Sequence, residues 1–201
     1  MNNKSEIIEQ TNLAFDFIEK LYLESSYLIK EIEGILNEEE EKFIIGKTGG
    51  YAISTSTSKG LEPNNVKSWL LKNFSVFFIP EGNTKPKGGV TFTKINDNLK
   101  VIYLRIVFYG KNIKEPMIYS GVLFNVEKKQ GKTFPTKFEQ VMSHIEYNDK
   151  KFFNKKNQIN YEDIYLKIQG ELIKNCLFEI TDSESIVKKI IEPSLELYRK
   201  Y

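Results

Sequence analysis

The first forty residues constrain the fold more than any other part of the chain. Ile7, Thr11, Ala14, Ile18, Leu21, Ser25, Leu28, Ile32 and Ile35 follow one another at alternating spacings of four and three. That rhythm is a heptad seam on an α-helix. Leu13, Phe17, Ile29 and Leu36 widen it into the broad apolar face of a helix packed on a core. No proline interrupts the run, so residues 1–40 are read as one long amphipathic helix. About 32 helical residues span about 48 Å. Glu38, Glu39, Glu40 and Glu41 put acid at the C-terminal end, which the helix dipole disfavours. The helix is expected to fray there, or those carboxylates to meet a basic partner. The seam is longer than a small sheet covers. It is therefore expected to serve self-association or a protein partner through Ile18, Leu21, Leu28, Ile32 and Ile35.

The centre of the chain reads as a sheet. Residues 99–109 form the strongest strand. Ile102, Leu104, Ile106 and Phe108 share one face, and Val101, Tyr103, Arg105, Val107 and Tyr109 share the other. Both faces are largely apolar, which predicts a central strand covered on both sides. Residues 117–126 are its expected antiparallel neighbour. Shorter strands are predicted at 43–45, 51–58, 74–79 and 90–95. Short helices are predicted at 66–71, where Trp69 is expected to anchor the core, and at 134–147. Residues 148–160 are polar and lysine-rich and are expected to form a mobile loop. Residues 161–180 suit either a helix or a strand pair. Thr181 and Glu184 have capping-box spacing and open a final helix, with Pro193 expected to kink it. The fold class is thus α+β. It is read as one domain over 1–201, a mostly antiparallel sheet of about five or six strands with the N- and C-terminal helices packed on it.

Charge is spread unevenly. The formal net charge is +2, but residues 1–50 carry −6, 51–100 carry +4, 101–160 carry +6 and 161–201 carry −2. The basic middle interleaves lysines with rings: Lys128, Lys129, Lys132, Lys150, Lys151, Lys155 and Lys156 lie among Phe134, Phe138, Tyr147, Phe152 and Phe153. Cations suit phosphates and rings suit unpaired bases, so these lysines are candidate nucleic-acid contacts. Arg105 and Arg199 are the only arginines. Binding here would be largely sequence-independent, because base-edge reading favours arginine.

No motif for catalysis is complete. Gly46-Lys47-Thr48 lacks the upstream glycine of a phosphate loop. That position is Glu41, whose charge would repel phosphate. Residues 54–58 are hydroxyl-rich, as the solvated face of an edge strand is. His144-Ile145-Glu146 resembles half of a zinc-deaminase signature, but the paired cysteines are missing. The single Cys176 excludes an intrachain disulfide and reads as a small buried hydrophobe. Glu127-Lys128-Lys129, with Asp97 or Glu115 upstream, loosely follows a restriction-type nuclease, but a lysine stands where an apolar residue is usual. No catalytic residue, metal ligand or cofactor is nominated. The N-terminus lacks a signal peptide's apolar core and no run is long enough to span a membrane. A cytoplasmic location away from the membrane is the expectation. Lys-, Ile- and Asn-rich composition suggests a prokaryotic accessory protein. The expected role is a non-catalytic interaction module that binds a protein partner or itself as a homo-oligomer. A nucleic-acid-binding accessory is the alternative. A metal-dependent hydrolase or nuclease comes next, and small-ligand sensing last.

Overall fold

The computed structural model describes residues 4–45, 72–87, 90–93, 99–109, 113–128, 158–162 and 166–201. The expected elements at 51–58, 66–71 and 134–147, with Trp69, Gly46-Lys47-Thr48 and His144, lie outside them. Helix α1 runs over Lys4–Asn37, 34 residues, or about 51 Å. It stops just before the four glutamates, and Glu39 meets Arg199 across a 3.5 Å ion pair.

Six strands form one antiparallel sheet: β1 (Phe43–Ile45), β2 (Asn73–Pro80), β5 (Val101–Val107), β6 (Met117–Lys128), β7 (Gln158–Glu162) and β8 (Leu166–Cys176). Their spatial order is β1-β2-β5-β6-β8-β7, and a separate hairpin joins β3 (Thr84–Lys87) to β4 (Val90–Thr93). Strand β5 lies inside the sheet, between β2 and β6, with all seven residues buried. The two faces divide as alternation requires. Ile102, Leu104 and Ile106 join a core under the helices, while Val101 and Tyr103 join a second core on the opposite face. Arg105 also lies on that second face. It is 1% exposed and its Nη2 donates to Asn73 Oδ1 at 3.1 Å. Beside it the Ser75 and Tyr103 hydroxyls are 2.8 Å apart.

The ambiguous stretch after residue 160 resolves into strands, since β7 and β8 form a hairpin from Gln158↔Glu171 to Glu162↔Lys167. Residues 158–160, expected in a loop, belong to β7 and bury Ile159. Strand β8 fits closely beside β6 because Gly121 has no side chain. A Cβ there, at φ +157°, would sit 2.2 Å from the Glu171 carbonyl oxygen. Further along, register shifts between Phe124 and Glu127. Asn125 takes φ 52° at this bulge, a left-handed conformation its short polar side chain tolerates, and donates to Gln169 Oε1 at 2.6 Å.

The C-terminal helix is continuous but changes pitch. Helix α2 (Ser183–Ile186) leads into a π-helical turn (Val187–Ile191) and then α3 (Glu192–Lys200). The capping box is offset by one residue from the expected Thr181–Glu184 pair. Asp182 is the N-cap, accepting from the Ser185 amide, and the Ser185 hydroxyl accepts from the Asp182 amide. Serine is short enough to reach back to the cap. Pro193 is accommodated by the π turn just before it, where the Glu192 amide reaches Val187 O. Proline offers no N–H to the Lys189 carbonyl four residues back. That oxygen accepts instead from Asn175 Nδ2 of β8, at 3.0 Å. The widened turn buries both Ile190 and Ile191. Helices α1 and α2–α3 thus share one sheet face, where Ile29, Ile32 and Leu36 meet Ile186, Ile190, Ile191 and Tyr198. Tyr198 stands edge-on to Phe43 at 5.0 Å, under Lys100 Nζ. Burial, and then the Glu41 carboxylate, push its phenol pKa up.

Candidate functional site

Helix α1 is longer than the surface that holds it. Its buried residues are Ser25, Ile29, Ile32 and Leu36, all in its C-terminal half. Toward the N-terminus Tyr22 still touches the sheet, with its ring 5.4 Å from Phe108. Beyond that, residues 4–17 are exposed at every position. The apolar stripe does not stop where burial stops. Ile7 and Ile8 are each 51% exposed, Leu13 and Phe17 61%, and Phe15 65%. At 100° per residue, Ile7, Thr11, Ala14 and Ile18 fall on the same side as Ser25, Ile29, Ile32 and Leu36. Ile8 and Phe15 flank that line on one side, Gln10 and Phe17 on the other. The charges Glu6, Glu9, Asp16, Glu19 and Lys20 lie on the opposite side.

Beside the overhang is an open groove of about 570 Å³. Leu21 and Leu28 of α1 form one wall, and Leu177, Phe178 and Ile180 form the other, at the junction of β8 with α2. Phe178 is 57% exposed. The groove's end toward α2 is held by polar contacts. Ser183 Oγ donates to Glu31, tying α2 to α1. Asp182 is held below the usual carboxylate range by the Ser185 amide first and the Ser185 hydroxyl second. Phe17 and Leu21 belong both to the groove lining and to the continuing stripe.

The five nominated interface residues separate. Ile32 is buried in the chain's own core, and Leu28 and Ile35 pack against that core. Ile18 and Leu21 are half-buried. Leu21 and Leu28 also line the groove. The most exposed apolar side chains of α1 lie off the seam: Phe15 and Phe17 flank it, and Leu13 falls on the far side, between Lys20 and Glu6. Their signal in the sequence is that the positions flanking the seam carry Ile8, Phe15 and Phe17, where a two-stranded coiled coil places charge.

Of the lysines nominated for nucleic acid, Lys128 ends β6. Lys129, Lys132, Lys150, Lys151, Lys155 and Lys156 lie outside the described residues. Glu115 precedes β6 by two residues and Glu127 lies near its other end, about 33 Å of strand from Met117. Glu127 faces Lys167 at 3.7 Å. Among the described residues, no three His, Cys, Asp or Glu side chains are grouped so as to hold a metal ion. No helix of the described residues is long and apolar enough to cross a membrane. Cys176 is half-buried at the end of β8, opposite Met117. No family model, curated protein or solved structure matches the chain.

Proposed function

We propose that this chain is a non-catalytic interaction module and that the N-terminal half of α1 is its docking element for a protein. The observation that carries this reading is the uncovered apolar stripe of residues 7–17, continuous with the buried stripe of residues 25–36. A helix that is apolar beyond its own core acquires stability when something else covers it. Ile7, Ile8, Phe15 and Phe17 together offer about 3–6 kcal/mol to a surface that buries their exposed halves. Association itself costs about 4–15 kcal/mol. The complex is therefore reversible unless the partner adds apolar surface of its own. Charge favours a protein over a lipid surface. The polar side of the N-terminal half of α1 carries Glu6, Glu9, Asp16 and Glu19 against Lys20, whereas helices that lie on anionic bilayers carry lysine and arginine there.

The double variant Phe15→Ser/Phe17→Ser tests this reading. In dilute solution its melting temperature stays within about 2 °C of the parent, because both rings are exposed, and it binds less of an apolar fluorescent dye. Two core phenylalanines lost together would lower the melting temperature by about 10 °C or more. A fall of that size would sink the docking reading.

A further inference from the structure

We propose that the occupant of this docking element is a second copy of the same chain, with the two α1 helices antiparallel about a two-fold axis near Phe17, so that each overhang lies in the other chain's groove. The inference rests on the reading of α1 as a docking element and adds the partner and the geometry. Lengths support it. The overhang, residues 4–17, is about 21 Å long, and the α1 wall of the groove runs from Phe17 to Glu31, about 23 Å. The two segments meet at Phe17. An axis near that residue seats overhang in groove twice over, as a closed two-fold contact requires. Parallel pairing would lay overhang on overhang and leave both grooves open.

Chemistry supports it as well. The surface presented is Ile7, Ile8, Phe15 and Phe17, and the surface receiving it is Leu21, Leu28, Leu177, Phe178 and Ile180. The positions flanking the seam of the overhang are Ile8, Gln10, Phe15 and Phe17, so no like charge is forced into the contact. The charges that remain are at the rim. Lys4, Glu6, Glu9 and Asp16 on the overhang face Lys20, Glu24, Glu31 and Asp182 around the groove, and each set is net acidic. Self-association therefore tightens as salt screens the rim, whereas docking of a basic foreign protein weakens.

The test combines sedimentation with a distance. Sedimentation equilibrium on the full chain, from micromolar to several hundred micromolar, reads the dimer dissociation constant at low and high salt. Phe178→Glu and Phe17→Glu, changed one at a time, each raise that constant by about tenfold or more. A spin label on Glu9→Cys in a Cys176→Ser background reports orientation. Antiparallel pairing near Phe17 puts the two labelled positions about 24 Å apart along the axis, and parallel pairing puts them about 10 Å apart. A dimer that tightens with salt, with the long distance, is the expected result. A short distance, or a dimer indifferent to Phe178→Glu, overturns the proposal. So does a monomer at every concentration. In those cases the docking reading is still judged separately, by the melting temperature and dye binding of Phe15→Ser/Phe17→Ser.

Discussion

The two halves of α1 have similar side-chain chemistry and opposite fates. Ile29, Ile32 and Leu36 are at most 1% exposed, pinned between the sheet and α2–α3. Ile7, Phe15 and Phe17, on the same helix and of similar apolarity, are more than half exposed. Nothing in the helix itself separates the halves. What separates them is the extent of the surface beneath, which the C-terminal helix and β8 supply for one half only. An amphipathic period therefore specifies which side of a helix is to be covered, and the rest of the fold decides how many turns are covered from within.

The largest expected effect is a contrast in stability. Leu36→Ala or Ile32→Ala costs about 2–5 kcal/mol in urea denaturation, as for buried aliphatic residues. Ile7→Ala, measured dilute, stays within about 0.5 kcal/mol of the parent. Equal costs at positions 36 and 7 would erase the distinction between the halves. The next effect concerns what covers the lower half. Asn175→Ala removes the donor that satisfies the Lys189 carbonyl, and costs about 1–3 kcal/mol if the π turn depends on it. Hydrogen exchange should then rise around Ile190 and Ile191 before it rises in the sheet. Unchanged stability would mean that the turn satisfies that oxygen otherwise.

The cap at the groove gives a smaller effect with a defined sign. Asp182→Ala lowers the melting temperature by roughly a few degrees, and Asp182→Asn retains most of the cap. The folded carboxyl lies below its ordinary value of 3.8 because the Ser185 amide and hydroxyl hold the charged form. Its stabilisation is complete above that value and is lost as pH falls through the lower folded value. Asp182→Asn should remove this part of the acid dependence, and an unaltered acid profile would contradict the assignment. The smallest expected effect is none at all. If α1 is the interaction surface, single-stranded and duplex probes do not bind at physiological salt. Binding whose salt slope flattens when Lys150, Lys151, Lys155 and Lys156 become Gln would move the function to the basic middle.

Much of the fold was legible where one period dominates. In β5, Ile102, Leu104 and Ile106 and their alternates Val101 and Tyr103 occupy the faces that alternation assigns them. Segments that satisfy two periods were not legible. Residues 166–176 alternate Ile168, Gly170 and Leu172, yet Ile168 and Leu172 are also four apart, which suits a helix turn. Pairing with both β6 and β7 decided it. The one-residue offset of the cap arose because Thr181, Asp182 and Ser183 all suit an N-cap, and only the Ser185 hydroxyl discriminates between them. Gly121 carries its meaning through the Glu171 carbonyl, fifty residues later, which no local pattern anticipates. For the site, the sequence marked the stripe on α1 but not the turn at which cover ends. That depends on where Leu177–Glu179 and α2 meet the helix.

Hydrogen exchange along α1, read in dilute and in concentrated solution, separates cover from within from cover by a partner. Amides of residues 25–37 should be protected at both concentrations, because their side chains are covered from within. Those of residues 4–20 should exchange fast when dilute, since a helical segment without tertiary cover is marginal, and should slow when concentration brings a partner copy onto it. Equal, strong protection of both halves in dilute solution would mean that the N-terminal half is stable alone and needs no partner.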